Sequence, residues 1–379
     1  MADAMPIVHA LASPLAAHSE AFSEIVARKL FENVRARVLS ELAERSSTLA
    51  TAVAGLDSGA SHYWRAELGA ITAACNGGNA ELAALQLITM HHRDALTVQI
   101  DIGKAGHLYM DGIIVPLQGR VEVRLQADRL QLAREQDDLL FCMNRGRWTL
   151  EETPPDSIWR VHGLRAAHPR YVIESTITNP ESVFPVIGRY AFRKDAKPAD
   201  ATSVTACLEV LGSTLQYIET YSKAYESWFR GSIDGLVLTT GSSAMSMTSP
   251  LFPGLVALNM GYDALDYAEV LTSAASQQKL HQLSLVSALT VPGREEVRYL
   301  PTRRSYTTSR RALTSAHDHV NAIRMLSDLS LIEGLSDQVA QRIETRKLLL
   351  ATDCIPILEN SEILTPAGQA LWRCLKDAA

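Results

Sequence analysis

Between Ser273 and Ser284 the chain reads SAASQQKLHQLS, inside a longer stretch with helical spacing, DALDYAEVLTSAASQQKLHQLSLVSAL. Steps of three and four residues place Ser273, Gln277, His281 and Ser284 on one stripe of that helix. Such a stripe is too polar for an apolar seam and too poor in charge for an ordinary solvated face. It offers neutral hydrogen-bonding groups and one imidazole, whose ordinary pKa of about 6.5 gives both protonation states near neutrality. With Lys279 nearby, the set suits acid–base work by His281 assisted by Ser273, Gln277 and Lys279. A plainer reading is serine hydroxyls bonded back to carbonyls four residues earlier. That suits each serine singly and the whole stripe less well.

Other chemically capable residues are fewer. His317-Asp318-His319 has metal-ligand residue types, but on a helix residues two apart diverge and would not chelate one ion. His317 is therefore read as a single functional or capping histidine. His91-His92 reads as a helix end and its solvent-facing neighbour. The basic segment PTRRSYTTSRR gathers Arg303, Arg304, Arg310 and Arg311. Solvated loop charge is its default reading. The functional alternative is a carboxylate or acidic-peptide site, since arginine grips carboxylates in bidentate fashion. Ser276-Gln277-Gln278-Lys279 has a serine–lysine spacing but none of the partner motifs of the serine hydrolases that use one. The chain has no GxSxG, P-loop or GxGxxG after a strand.

The elements that must position these groups follow from the pattern along 379 residues. Residues 19 to 95 have helical spacing, broken once by Asn76-Gly77-Gly78-Asn79. From about residue 96 to 195 short alternating runs predict strands, among them LTVQIDI, HLYMDGIIVPL, RVEVRLQA, DRLQLAR and RYVIESTI. Helical spacing returns after residue 196. GLVLTT and LVALNM are expected to be short strands, SSAMSMTSPLFPG a loop, and VPGREEVRYLPTRRSYTTSR irregular. Helices are expected over Ser309 to Leu329 and Ser336 to Leu350. This order predicts an α+β fold, mostly helical with a mixed β segment in the middle: 1–95, 96–195 and 196–379 packed as one compact unit.

Bulk properties bound the function. Hydrophobic residues make up 47% and charged residues 21%, the composition of a folded chain. A net charge of -6 gives no electrostatic case for nucleic acid or an anionic membrane. No run approaches the roughly 18 apolar residues of a membrane span, and no basic-then-apolar signal opens the chain. Five scattered cysteines without a CxxC pair suit reduced thiols, so a cytoplasmic location is expected. The sequence does not set the oligomeric state.

One run has a recognisable pattern. From Ser242 to Leu289 the loop SSAMSMTSPLFPG, the strand LVALNM and the helix AEVLTSAASQQKL follow one another. This order resembles a bacterial family of peptide-modifying proteins defined by a His-Glu-x-x-His helix and associated with ribosomally made peptide natural products. In that family a serine-rich loop, a Pro-Gly and a short apolar strand precede Ala-Glu-x-Leu-Val-His-Glu-x-x-His-x-Lys-Leu. LYMDGIIVPLQGRVEV, the RYLPTRR region and LTPAGQALW are weaker likenesses, so the resemblance is close over one run and loose elsewhere. Departures fall at the chemistry. Ser273 and Gln277 stand where the metal histidines would be, and Ala274 where the glutamate would be. Thr302 replaces a tryptophan between Pro301 and Arg303, and of an acidic Leu-Asp-Asp-Leu-Asp-Pro-like stretch only Asn179-Pro180 remains. His317 matches a downstream histidine if a small insertion is allowed.

The resemblance implies iron and 2-oxoglutarate-dependent β-hydroxylation of peptide side chains for members with the full motif. A transition metal shared by two imidazoles needs donors that serine and glutamine do not supply. The expectation is therefore a metal-site-degenerate relative with no cofactor, binding a precursor peptide or a partner tailoring enzyme. His281, Ser273, Gln277 and Lys279 are its candidate chemical groups, and Arg303, Arg304 and His317 its substrate-binding ones. The alternative is an active tailoring enzyme. It would use metal-free chemistry at His281 or a rebuilt iron site from His281, His317 and Glu269. An interaction protein outside peptide tailoring is the third reading.

Overall fold

The structure, a computed structural model, describes residues 5–16, 18–43, 45–56, 64–91, 94–135, 137–144, 146–151, 159–162, 169–175, 200–240, 245–300 and 304–378. Helices come first: α1 (Met5–Ala12), α2 (Ser19–Leu42), α3 (Ser47–Ala54), α4 (Ala66–Asn76) and α5 (Ala80–His91). Along α2 the buried Val26, Ala27, Phe31, Val34, Val38 and Leu42 recur at steps of one to four, one face of a 3.6-residue period. The Asn76-Gly77-Gly78-Asn79 break separates α4 from α5, with the Gly77 N–H closing the end of α4 on the Ala73 carbonyl. Almost every side chain of α5 is buried, so it runs through the middle of the first core.

That core is roofed by an antiparallel meander of β1 (Leu96–Met110), β2 (Ile113–Gln126), β3 (Arg129–Ala133), β4 (Asp138–Asn144) and β5 (Arg147–Leu150). LTVQIDI and HLYM, separate runs in the sequence, are one strand with a register irregularity between Ile102 and Gly106. Asp111 and Gly112 turn β1 into β2 with φ of 49° and 91°. An Asp-Gly pair is the chemistry such a left-handed two-residue turn selects. Alternate residues of β2, among them Val121, Val123 and Leu125, face the helices.

The second sheet is mixed. It contains β6 (Trp159–His162), β7 (Tyr171–Ser175), β8 (Gly235–Thr239), β9 (Ser246–Thr248) and β10 (Leu255–Asn259), in the order β6-β7-β8-β10-β9. Strands β7, β8 and β10 are parallel, and GLVLT and LVALN are buried throughout, as continuous apolar runs in a covered parallel sheet should be. Its strands come from both sides of residue 195. Strand β9, inside the segment expected to be a loop, pairs antiparallel with β10 at the sheet edge.

The remaining helices are α6 (Ala201–Tyr221), α7 (Lys223–Arg230), α8 (Ala264–Val286), α9 (Ser309–Leu329), α10 (Ser336–Leu349), α11 (Ile355–Glu359) and α12 (Pro366–Lys376), with a π turn at Leu350–Cys354. A hairpin of β11 (Val297–Leu300) and β12 (Ser305–Thr308) occupies the stretch expected to be irregular. The second core joins α6, α7, α8, α9 and the mixed sheet. A third joins α8, α9, α11 and α12 to α1, whose Val8, Leu11 and Ala12 pack there. The fold is α+β and mostly helical with a mixed β middle, as the order of segments predicts. Among the described residues no helix is long and apolar enough to cross a membrane.

Candidate functional site

Helix α8 is the element on which the site is built. Asp263 caps it by accepting from the Asp266 N–H (2.8 Å), while Asp266 accepts from the Asp263 N–H (3.2 Å), a reciprocal capping box. Val270, Leu271, Ala274 and Ala275 lie in the second core, and Leu280 and Leu283 in the third. A helix passing between two cores is buried on most sides. Its half-buried or exposed positions from Ser273 to Ser284 are Ser273, Gln277, His281 and Ser284 alone, the four residues of the stripe. The polar stripe is thus the side left unpacked.

Beside it lies a cleft of about 800 Å³. Gln277, Gln278, His281 and Ser284 form one wall, Thr248 to Pro250 another, and Arg310, Leu313 and Thr314 of α9 a third. The loop from Ala288 to Glu295 completes it. Gln278 also ties neighbouring segments together. Its Oε1 accepts from the Trp64 indole (2.6 Å) and from the Gly254 N–H (3.2 Å). Gly254 has φ 76°, and a Cβ there would stand 2.3 Å from the Trp64 carbonyl, so only glycine lets these segments meet.

Beneath the cleft a relay of hydrogen bonds reaches the interior. Thr248 Oγ1 donates to Gln277 Oε1 (2.7 Å), and Gln277 Nε2 donates to Asp318 Oδ2 (3.2 Å). Ser273 Oγ donates to the same oxygen (2.9 Å). Burial pushes the Asp318 carboxyl up to about 7, against the lowering by Gln277 and Ser273. Its Oδ1 has no hydrogen-bond partner among the described residues. Asp318, rather than either flanking histidine, is the member of His317-Asp318-His319 that meets the stripe.

The proposed site residues divide among separate places. Ser273 and Gln277 converge on Asp318, and Gln277 and His281 line the cleft. Burial, with Arg310 adding to it, pushes His281 down to about 4. At neutral pH His281 is thus an uncharged hydrogen-bonding group beside Trp64 (ring centroids 5.7 Å). Burial thus makes it a weaker base than an ordinary imidazole. Lys279 lies two residues from Gln277, on another face of α8, and lines a different cavity with residues of α2 and α7. His317 is fully buried, with Nε2 at 3.3 Å from the Leu11 carbonyl and its ring 5.8 Å from that of Trp228. It faces α1 and α7, not the cleft, which corrects its expected role in substrate binding. Arg304 sits exposed at the β11–β12 turn with φ 47° and is not a lining residue, whereas Arg310 is. Arg303 lies outside the described residues, as do Pro301, Thr302 and Asn179-Pro180.

The metal that the resemblance implies does not suit these groups. Ser273 and Gln277 turn donor hydrogens toward Asp318, the Gln277 oxygen is engaged by Thr248, and Ala274 has no donor atom. One carboxylate remains where a transition metal needs several strong donors. The rebuilt site of His281, His317 and Glu269 fails on length. Glu269 and His281 are twelve residues apart on one helix, about 18 Å along its axis. Glu269 is instead bound by Arg342 (2.8 Å) and Arg346 (2.7 Å), which clamp α10 to α8. Among the described residues no three His, Cys, Asp or Glu side chains gather as a metal site. The sequence signal that could have found Asp318 was present, since it stands next to the aligned His317. Helical geometry alone does not tell which of three adjacent residues faces α8.

Compared with known proteins, the chain matches no family model, and no curated protein is significantly similar to it.

Proposed function

We propose that this protein binds an extended peptide in the α8 cleft without a metal, as a metal-site-degenerate relative of the peptide-modifying hydroxylases it resembles in sequence. The ligand in this reading is a ribosomally made precursor peptide, or a segment of a partner tailoring enzyme. The observation that carries the reading is the wall of the cleft. His281 and Ser284 present uncharged hydrogen-bonding groups along a groove of about 800 Å³, beside Gln277 and Gln278, whose amide oxygens are already engaged within the fold. That chemistry suits the amide groups of a peptide.

Two further features support it. Strand β9 is the edge of its sheet and leads into Ser249 and Pro250 at the cleft, so a peptide can align there as an added strand. Arg294 and Arg310 line the same space against one acidic residue, Glu295, and His281 is neutral, so an acidic side chain or a terminal carboxylate is favoured. The test is fluorescence anisotropy with a labelled synthetic peptide copied from a short reading frame beside the gene. Arg310→Ala is expected to weaken binding roughly tenfold, about 1.4 kcal/mol. Mass spectrometry of that peptide after incubation with protein, iron and 2-oxoglutarate is expected to show no added oxygen. A hydroxylated product would refute the metal-free reading.

A further inference from the structure

The cavity that holds Lys279 lies apart from the cleft and is built from other elements. It has a volume of about 520 Å³, and Ser19, Glu20 and Glu24 of α2, Ser227 and Trp228 of α7, and Lys279 of α8 line it. Lys279 is 1% exposed, yet no carboxylate pairs with it among the described residues. Its Nζ donates to Ser23 Oγ and stands 6.0 Å from the centre of the Trp228 ring. An unpaired buried ammonium is costly, and such a lysine is driven toward the free amine. Burial pushes Lys279 down to about 7, with Glu20 opposing.

Two more groups on the cavity wall are buried without partners among the described residues. The Trp228 indole Nε1 is a donor only, and the Ser19 hydroxyl is the second. Both residues are more than nine-tenths buried. Unsatisfied donors on residues that line a cavity beside a buried amine suit a ligand that supplies an acceptor oxygen.

We propose that this cavity is a site for a small aldehyde or ketone, held through its carbonyl oxygen by Trp228 and Ser19 and captured by Lys279 as an imine. The Nζ lone pair adds to the carbonyl carbon, and the resulting carbinolamine loses its hydroxyl. Both amine protons leave with the oxygen as water, so the carbon–oxygen double bond is exchanged for a carbon–nitrogen one with no change of oxidation state. Two carboxylates line the wall, Glu20 and Glu24; Glu20, which accepts a hydrogen bond from Ser227 at 3.2 Å, is the one assigned to carry a proton from nitrogen to oxygen.

The test is reductive trapping of the full chain with glyoxylate and, separately, propanal, each with sodium cyanoborohydride at neutral pH. Peptide mapping then follows all eight lysines. Lys279 is expected to gain the reduced adduct at least tenfold faster than the exposed Lys347 and Lys376, with one probe or both. Trp228→Phe is expected to slow that trapping about tenfold, and Lys279→Met to remove it while circular dichroism stays unchanged. If Lys279 in the natural chain reacts no faster than Lys347, or remains unmodified with both probes, the proposal is overturned. That result would leave the peptide cleft untouched, because the two cavities share no lining residue.

Discussion

At the scale of single residues, burial shifts Asp318 and Lys279 toward their neutral forms, with opposite consequences for stability. Asp318 is pushed up to about 7 by burial. Between the unfolded value near 3.9 and that point, the folded chain keeps a proton that the unfolded chain has released. Its contribution therefore declines as pH rises through this window, the reverse of a salt-bridged aspartate. Lys279 is pushed down to about 7. From there to about 10.4 the unfolded chain holds the extra proton, and stability rises with pH. Urea unfolding at pH 5 and 8 checks the first. Asp318→Asn should gain on the natural chain by on the order of 2–3 kcal/mol between those values. Lys279→Met should flatten the slope above pH 7. The division of the stripe was partly legible in sequence. Steps of three and four found Ser273, Gln277, His281 and Ser284 as the unpacked side of α8. Proximity in sequence groups Lys279 with them, although the rule that separates His317 from His319 also separates Lys279 from Gln277.

At the scale of elements, the long helices were legible because their apolar periods are long. Ser309–Leu329 was read at its observed bounds, and Ser336 to Leu350 ends one residue earlier before a π turn. The short strands were harder. Nothing in VRYL or SYTT, set among arginines, distinguishes a hairpin from a loop, because β11 and β12 are mostly exposed and bury little apolar surface. Strand β9 is three residues long and is fixed by pairing with β10 rather than by its own pattern. The turn that follows β9 approaches α4 closely and gives a test. A Cβ on Gly69 would stand 1.9 Å from the Leu251 carbonyl, next to Ser249 and Pro250 on the cleft wall. Gly69→Ala should destabilise by about 1–3 kcal/mol through overpacking. It should also weaken peptide binding by moving that wall, which thermal melts and anisotropy together would report.

At the scale of the whole molecule, the helical start, the meander and the mixed sheet meet at one buried cluster of charges. Arg170, before β7, donates to Asp234 (2.6 Å) and to Asp111 of the β1–β2 turn, with Glu67 of α4 at 3.9 Å. Asp111 also accepts from the Trp148 N–H (2.8 Å), and Tyr171 donates to Asp234 (3.2 Å). Burial, with Asp234 beside it, pushes Glu67 up to about 7. The residues come from five distant stretches, which is why no sequence spacing announces them. Removing the Arg170 guanidinium takes away the cation that bonds both Asp234 and Asp111. Arg170→Met should cost about 3–5 kcal/mol in urea unfolding at pH 8, and less at pH 5, where Glu67 is protonated and needs no cation. This cluster positions Asp234 next to Gly254 and thereby supports the loop that carries the cleft wall.

The central proposal is that the α8 cleft binds a peptide through uncharged groups and without a metal. Isothermal titration of the synthetic precursor peptide into chelator-treated protein tests it most directly. The account predicts one peptide bound per chain, with the same affinity before and after iron is added. Binding that appears only when iron is restored, or no binding under either condition, would contradict it.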